Sequence, residues 1–296
     1  MSGRLRSLVK SLRGVARDHL TPPTTSDIAW PGGQRITALR PVKPVRGHVI
    51  NKFNHVVLRG EHAGAPVKLY EADSVEHATF LEALAVDARV ARWFPAIVGR
   101  SGRSLLTAWV DGTAPAEPVA IEQIIELQVT LHGIAAAELP PSGWNFWASY
   151  LRPRFLRAAD MLGERVDDLV AIVDDEDTRA PRVAVHLDLK PSNLIVEPSG
   201  ITRTIDNESC SVSALPLLDI CHTARAVRTR APDYWRRYRA RAAPACEPRS
   251  LAALEIAWLA RLVGSFFVAG QLSDAATLIR DRRAGRSLLP FDPRAT

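Results

Sequence analysis

The sequence predicts an α+β protein, with a small antiparallel β-sheet lobe followed by a larger, mainly helical lobe. Three observations carry that reading. From Gln34 to Ala72 the chain runs in short β-type stretches punctuated by Pro, Gly and Asn. After Pro118 the spacing of apolar residues becomes helical. Set among those helices is Arg182–Glu197 with its companion Ile201–Glu208, which reads as one small hairpin. It runs as an apolar strand to His186, a polar loop, a second apolar strand, a Pro198-Ser-Gly200 turn and a third strand. A chain of 296 residues is long enough for one substantial core or for two lobes. The expected division is 1–26, 27–112 and 113–296.

In residues 1–20, Leu5, Leu8, Val9, Leu12, Val15 and Ala16 fall at helical spacing with basic residues opposite. Such a helix can make peripheral contact with an anionic membrane. Its apolar stripe is of ordinary width, which favours packing on the folded domain. Thr21–Ser26 is a linker by composition. Strands are expected at Arg35–Leu39, His55–Leu58 and Ala65–Tyr70. A helix follows from about Ser74 to Ala85, capped by Asp73 or Ser74, with Phe80, Leu81 and Leu84 inward. Ser104–Val110 reads as a strand ending at Asp111-Gly112.

In the helical part, Ile121, Ile124, Ile125, Leu127, Gln128 and Leu131 form a helix stopping near His132-Gly133, with Gly as the stop signal. Further helices fill Trp144 to Asp174, broken near Gly163, and others follow the hairpin as far as Phe291. Leu251–Gly270 is almost wholly apolar. Glu255 and Arg261 lie inside it, and a charge at mid-bilayer costs about 2.5–3.5 kcal/mol. A buried helix of the large lobe is the better reading.

Composition is that of a globular protein, with 47% hydrophobic and 24% charged residues, which argues against long disorder. Cys210, Cys221 and Cys246 are odd in number and widely spaced, with no Cys-x-x-Cys, which speaks against a disulfide framework and a zinc site and fits a reducing cytoplasm. Basic residues interrupt the N-terminal apolar positions, so a secretory signal is not expected. The net charge of +6 is compatible with anionic partners. Arg225–Arg241 interleaves arginines with Tyr234, Trp235 and Tyr238. Stacking aromatics could serve RNA, but aromatics at helical spacing are usually core and the arginines a solvated face. Nucleic acid is therefore not the expected partner.

The chemistry concentrates in the hairpin. Asp188, Asn193 and Asp206 offer a carboxylate, an amide oxygen and a second carboxylate. These hard donors suit a Mg²⁺-nucleotide, with one carboxylate left over as a base. The spacing His186-x-Asp188-x-x-x-x-Asn193, with Asp206 13 residues beyond Asn193, resembles the catalytic and metal loops of the protein-kinase-like superfamily. Within it the chain looks most like the aminoglycoside and choline kinase branch of small-molecule phosphotransferases. The helix ending Leu127-Gln-Val-Thr-Leu-His132 resembles that branch. So does Ile205-Asp-Asn-Glu208, where protein kinases have Asp-Phe-Gly. Leu218-Asp219-Ile220 follows with only 12 residues between Asp206 and Asp219, leaving no room for an activation segment. Ala231-Pro232-Asp233 echoes the end of such a segment but comes after Asp219, and a Pro at a helix start explains it.

The resemblance implies a bilobal protein-kinase-like fold, ATP and Mg²⁺ as cofactors, and a hydroxyl on a small molecule as acceptor. In it Asp188 would be the base, Lys190 would contact the transferring phosphoryl, and Asn193 and Asp206 would hold the metal. His186 and Asp219 would brace the loop. Lys68 resembles the strand lysine that binds the α- and β-phosphates. Glu76 is its expected ion-pair partner, because Phe80 and Leu84 follow at i+4 and i+8 and place it inward; Glu82 is the rival. The phosphate-covering loop departs most from the pattern, with one glycine in Arg46–Asn54, so that Gly47 and Asn54 are its candidates. Adenine would meet the backbone of Trp109 to Gly112, Trp109 and Val110 first. The basic C-terminal region fits an uncharged or anionic acceptor, such as a sugar or glycan precursor, better than a polycation. The alternatives are a pseudokinase-like binding module and a protein Ser/Thr kinase.

Overall fold

The β-type runs assemble into one antiparallel sheet. In the computed structural model, which describes residues 26–41, 57–242 and 251–293, its strands are β1 (Ser26–Ala29), β2 (Arg35–Pro41), β3 (Val57–His62), β4 (Ala65–Glu71), β5 (Ile97–Ser101) and β6 (Ser104–Ala108). They lie in the order β1-β2-β3-β4-β6-β5. The sequence reading missed both edge strands. Ser26 falls in the expected linker and Asp27–Ala29 in the expected sheet lobe with no strand assigned, and β5 is a short stretch that buries little, as edge strands do. One face carries Trp30, Ile36, Leu39, Leu58, Val67, Leu69 and Leu106 as a core. Helix α1 (Val75–Val86) buries His77, Ala78, Phe80, Leu81 and Leu84, and Ser74 is its cap, accepting from the His77 N–H at 3.0 Å.

The described residues divide into two units. One runs to Thr113 and includes Ile195–Glu208; the other holds Ala114–Leu194 and everything from Ser209 on. The segment 195–208, expected inside the helical part, thus groups with the sheet. Its attachments explain why. The hairpin β8 (Leu194–Val196) and β9 (Thr202–Thr204) is pinned by Arg203, which donates to the carbonyls of Arg92 and Phe94, both at 3.0 Å. Thr204 Oγ1 donates to the Trp93 carbonyl at 3.0 Å, and Thr113 and Val196 exchange backbone hydrogen bonds at 3.1 and 2.8 Å. Gly112 is required there: a Cβ would stand 2.1 Å from the Val196 carbonyl oxygen.

In the other unit, α2 (Glu117–His132) turns Ile121, Ile124, Ile125, Leu127, Gln128 and Leu131 into the interior. Gly133, at φ −81°, ends it in the right-handed region, so the helix stops without using glycine's freedom. A π-helical turn (Phe146–Leu151) leads into α3 (Arg152–Leu162), which Gly163 closes at φ 69° in the left-handed conformation, and α4 (Asp167–Arg179) follows. The strand before His186, β7 (Val183–Val185), does not join the hairpin. It pairs with β10 (Ser211–Ser213), a strand the sequence reading did not anticipate. Then come α5 (Leu217–Val227), α6 (Ala231–Arg239), α7 (Leu251–Val268) and α8 (Leu272–Arg283).

Helix α7 is the buried helix expected of the apolar stretch. Leu254, Ile256, Trp258, Leu259 and Val263 are almost fully enclosed, each large side chain contributing roughly 1.5–3 kcal/mol. Glu255 is matched by Arg282 at 2.8 Å. No helix among the described residues is long and apolar enough to cross a membrane. Tyr234, Trp235 and Tyr238 are core, and Trp235 stacks on Phe291 at 4.6 Å, so they are not open to stacking bases. Arg241 and Arg237 pair with Glu122, and Arg230 with Glu117. Pro232 stands in the first turn of α6, as expected. The N-terminal helix of residues 1–20 and Cys246 lie outside the described residues.

Candidate functional site

The loop after β7 is held by a buried carboxylate. Asp219, fully enclosed on α5, accepts the N–H of His186 at 3.1 Å and of Leu187 at 3.0 Å. Burial alone would push its carboxyl up. The hydrogen bond and charge of His132, with those of His186, overcome that and hold it below the usual value. His132 Nε2 is 3.5 Å from Asp219, and its Nδ1 meets the Tyr238 hydroxyl at 2.8 Å. Ser209 Oγ donates to the His186 carbonyl at 2.6 Å and Thr223 Oγ1 to that of Leu189 at 2.8 Å. Leu187 adopts φ 63°, a conformation costing on the order of 1–3 kcal/mol that persists only where its surroundings fix it. The loop is braced as the resemblance implied for His186 and Asp219.

That frame presents Asp188. The residue is 6% exposed, and its Oδ2 receives Lys190 Nζ at 3.1 Å and Asn193 Nδ2 at 3.2 Å. Asn193 Nδ2 also donates to the Asp188 carbonyl at 2.9 Å, which orients the amide and leaves its oxygen as the end not committed to Asp188. His222 Nε2 lies 2.8 Å from Oδ1. Arg261 Nη2 is 3.2 Å from His222 Nδ1. A guanidinium can only donate, so Nδ1 accepts and Nε2 carries the ring proton on the side of Asp188.

In the sheet unit, Lys68 on β4 is 9% exposed and stands 5.3 Å over the Tyr70 ring. Its ammonium donates to the Ile205 carbonyl and lies 2.5 Å from Glu208 Oε1 and 3.7 Å from Asp206 Oδ1. Glu76 is not its partner. It sits exposed in the first turn of α1, where its carboxylate is held below the usual value by a backbone hydrogen bond and by Ser74. The rival Glu82 pairs with Arg100 at 2.8 Å. Trp109 commits its N–H to the Pro66 carbonyl at 3.1 Å and its indole N–H to Asp111 at 2.8 Å, with Arg59 4.4 Å over its ring. Val110 keeps its peptide groups out of the backbone hydrogen bonds of the described residues. Gly47 and Asn54 lie outside those residues.

Asp206 and Asn193, each taken by itself, offer the kind of oxygen that suits Mg²⁺ better than a metal that needs a full protein cage. Among the described residues no cluster of three or more His, Cys, Asp or Glu could hold an ion alone. Mg²⁺ is ordinarily held by one or two carboxylates together with substrate phosphates. The Asp206 side chain is 30% exposed and so reachable, and Asn193 offers an oriented oxygen. Three residues of evident consequence escaped the sequence reading: Glu208, His222 and Arg261. The first two carried a signal, since Glu208 stands two residues past Asp206 and His222 one helical turn past Asp219.

The model of the phosphotransferase enzyme family (APH) matches residues 54–262. No curated protein matches the chain in sequence. Among solved structures, a candidate fructosamine-3-kinase from Thermobifida fusca YX-ER1 is similar at TM-score 0.50 and 20% identity, over 85% of this chain and 94% of that one. A thermostable mutant of aminoglycoside phosphotransferase APH(4)-Ia is similar at 0.51 and 16%, over 84% and 94%. A candidate fructosamine-3-kinase from Haemophilus somnus 129PT is similar at 0.51 and 13%, over 83% and 91%. At these identities the likeness is one of fold, and it is the protein-kinase-like fold that the hairpin spacing implied.

Proposed function

The chain belongs to the phosphotransferase enzyme family, and from that premise we propose that it transfers the γ-phosphoryl of Mg-ATP to a hydroxyl of a small molecule. The observation that carries the proposal is Asp188, a buried carboxylate aimed by Lys190, Asn193 and His222 on a loop fixed by Asp219. Asp188 takes the proton of the acceptor hydroxyl as that oxygen bonds to the γ-phosphorus. The bond from phosphorus to the β–γ bridging oxygen breaks, leaving ADP and a phosphomonoester, and the proton passes from Asp188 to solvent. Lys190 opposes charge on the transferring phosphoryl. Lys68 exchanges Glu208 for the α- and β-phosphates, and the free peptide groups of Val110 receive the adenine. Asn193 and Asp206 are the residues to hold Mg²⁺, which when bound neutralises phosphate charge. A cytoplasmic location, where ATP is available, follows from this chemistry.

A small molecule is favoured over a protein acceptor because residues 207–216 hold only a short turn (Asn207–Ser209) and β10 before α5 begins. Labelled ATP turned over against a metabolite and glycan library tests the proposal. Asp188→Asn should lower turnover by about 10²–10⁴ while Mg-ATP still binds. ATP binding absent from wild type would sink it; binding with transfer to no acceptor would instead make the protein a nucleotide-binding module.

A further inference from the structure

Beside Asp188 and His222 lies a buried guanidinium with which no carboxylate among the described residues pairs. Arg261, on α7, is 6% exposed, and among the described residues its guanidinium makes one hydrogen bond, to His222 Nδ1. It stands 5.3 Å over the Phe146 ring. Among the described residues no carboxylate lies within ion-pair distance of it. Burial disfavours its charged form; Tyr150 and Asp188 favour that form, while Arg225 and Arg154 oppose it again. A guanidinium stays charged, so a buried one facing other cations is a standing cost that an anion would relieve.

Other cations stand near Arg261. Arg225 is three residues beyond His222 on α5, on the same side of the helix, and no carboxylate among the described residues pairs with it. Partial burial disfavours its charge too. Arg154 lies 3.8 Å over the Tyr150 ring and donates to its hydroxyl. Lys190 is the fourth cation, 3.1 Å from Asp188. A polycationic acceptor would meet repulsion here, whereas a neutral one would leave Arg261 as it stands.

We propose that the acceptor carries an anionic group, a phosphate or a carboxylate, which Arg261 and Arg225 bind while its hydroxyl faces Asp188. This rests on the phosphotransfer reading above and names the acceptor class of that same site. The planar forks of two guanidinium groups suit either anion through paired charge-assisted hydrogen bonds. The anionic group passes through the reaction unchanged. Only the hydroxyl proton moves, to Asp188, as the γ-phosphorus exchanges its bond to ADP for one to the acceptor oxygen.

The test is a set of matched hydroxyl compounds offered with labelled ATP: sugars and their phosphates, and hydroxy acids with their amides and amine analogues. The expected result is turnover of the phosphate or the carboxylate series, with KM at least about tenfold higher in Arg225→Ala and kcat far less affected, whereas Arg261→Gln raises KM as much and, by releasing His222 from its hydrogen bond, lowers kcat as well. Arg225, nearer the surface, keeps the test open should the buried Arg261 variant fold poorly. Turnover confined to neutral or amine compounds, with KM indifferent to Arg225→Ala, overturns the anionic acceptor and leaves phosphotransfer standing. Transfer to no compound by a wild-type protein that binds no ATP overturns both.

Discussion

The two units hold their charged residues in opposite ways. In the helical unit Asp188 is aimed by three side chains on a loop whose peptide N–H groups are already taken by a buried carboxylate. In the proposed reaction this carboxylate is in place before any ligand arrives. In the sheet unit Lys68, Asp206 and Glu208 are matched to one another, and Lys68 also to a backbone carbonyl. Under the proposed function those groups would have to change partners to hold phosphates. The difference teaches that, under the proposed function, preorganisation is invested in the group that would move a proton, where misplacement costs most. The proposed nucleotide side would instead exchange one set of ion pairs for another.

The contrast can be broken most directly at Asp219. Asp219→Ala removes the acceptor for two buried N–H groups and the partner of His132, and should destabilise the protein by about 3–5 kcal/mol in urea unfolding. A loss below about 1 kcal/mol would mean that the loop is held by something else. The sign with pH is set by the lowered carboxyl. Its stabilisation is complete above the unfolded value of about 3.9 and disappears as pH falls through the lower folded one. Asp219→Asn should therefore flatten the loss of stability below about pH 4.

A smaller effect sharpens the other half. With metal chelated, Glu208→Gln should bind ATP several-fold to about tenfold more tightly, since Lys68 no longer has to leave a carboxylate. Equal affinity in titration calorimetry would show that Lys68 is not held back. The smallest change is expected at the arginine-rich face. Arg237→Gln removes partly exposed ion pairs to Glu122 and Asp233 and should shift stability by no more than about 1 kcal/mol, with turnover unchanged.

The proximity of Asp188 and Asn193 was legible because they lie on one continuous stretch, where spacing alone sets the geometry. The partner of Lys68 was not, because it hinged on the phase of a helix. Phe80 and Leu84 do share a stripe with Glu76 by count. The buried face, however, is centred on His77, Phe80, Leu81 and Leu84, and Glu76 falls at its first-turn edge. There the helix N-terminus and Ser74 satisfy its carboxylate locally. Strands β1 and β5 were missed because edges bury too little to print an alternating pattern. Arg261 was noticed only as a charge that forbids a membrane span. Its importance lies in what surrounds it, which a linear sequence does not display.

The placement of residues 195–208 with the sheet has a bearing on how this protein can be taken apart. The chain leaves the sheet unit at Thr113, returns at Ile195 and leaves again after Glu208. A truncation at residue 113 would therefore yield a sheet lacking Glu208, the counter-ion of its buried lysine, and lacking Asp206. A fragment beginning at residue 114 would carry a hairpin stripped of the residues it is fastened to. Neither half is a module that can be cloned, swapped or inherited by itself. Splitting this protein would require joining two distant segments through a new connection, and recombination at a single point cannot supply that.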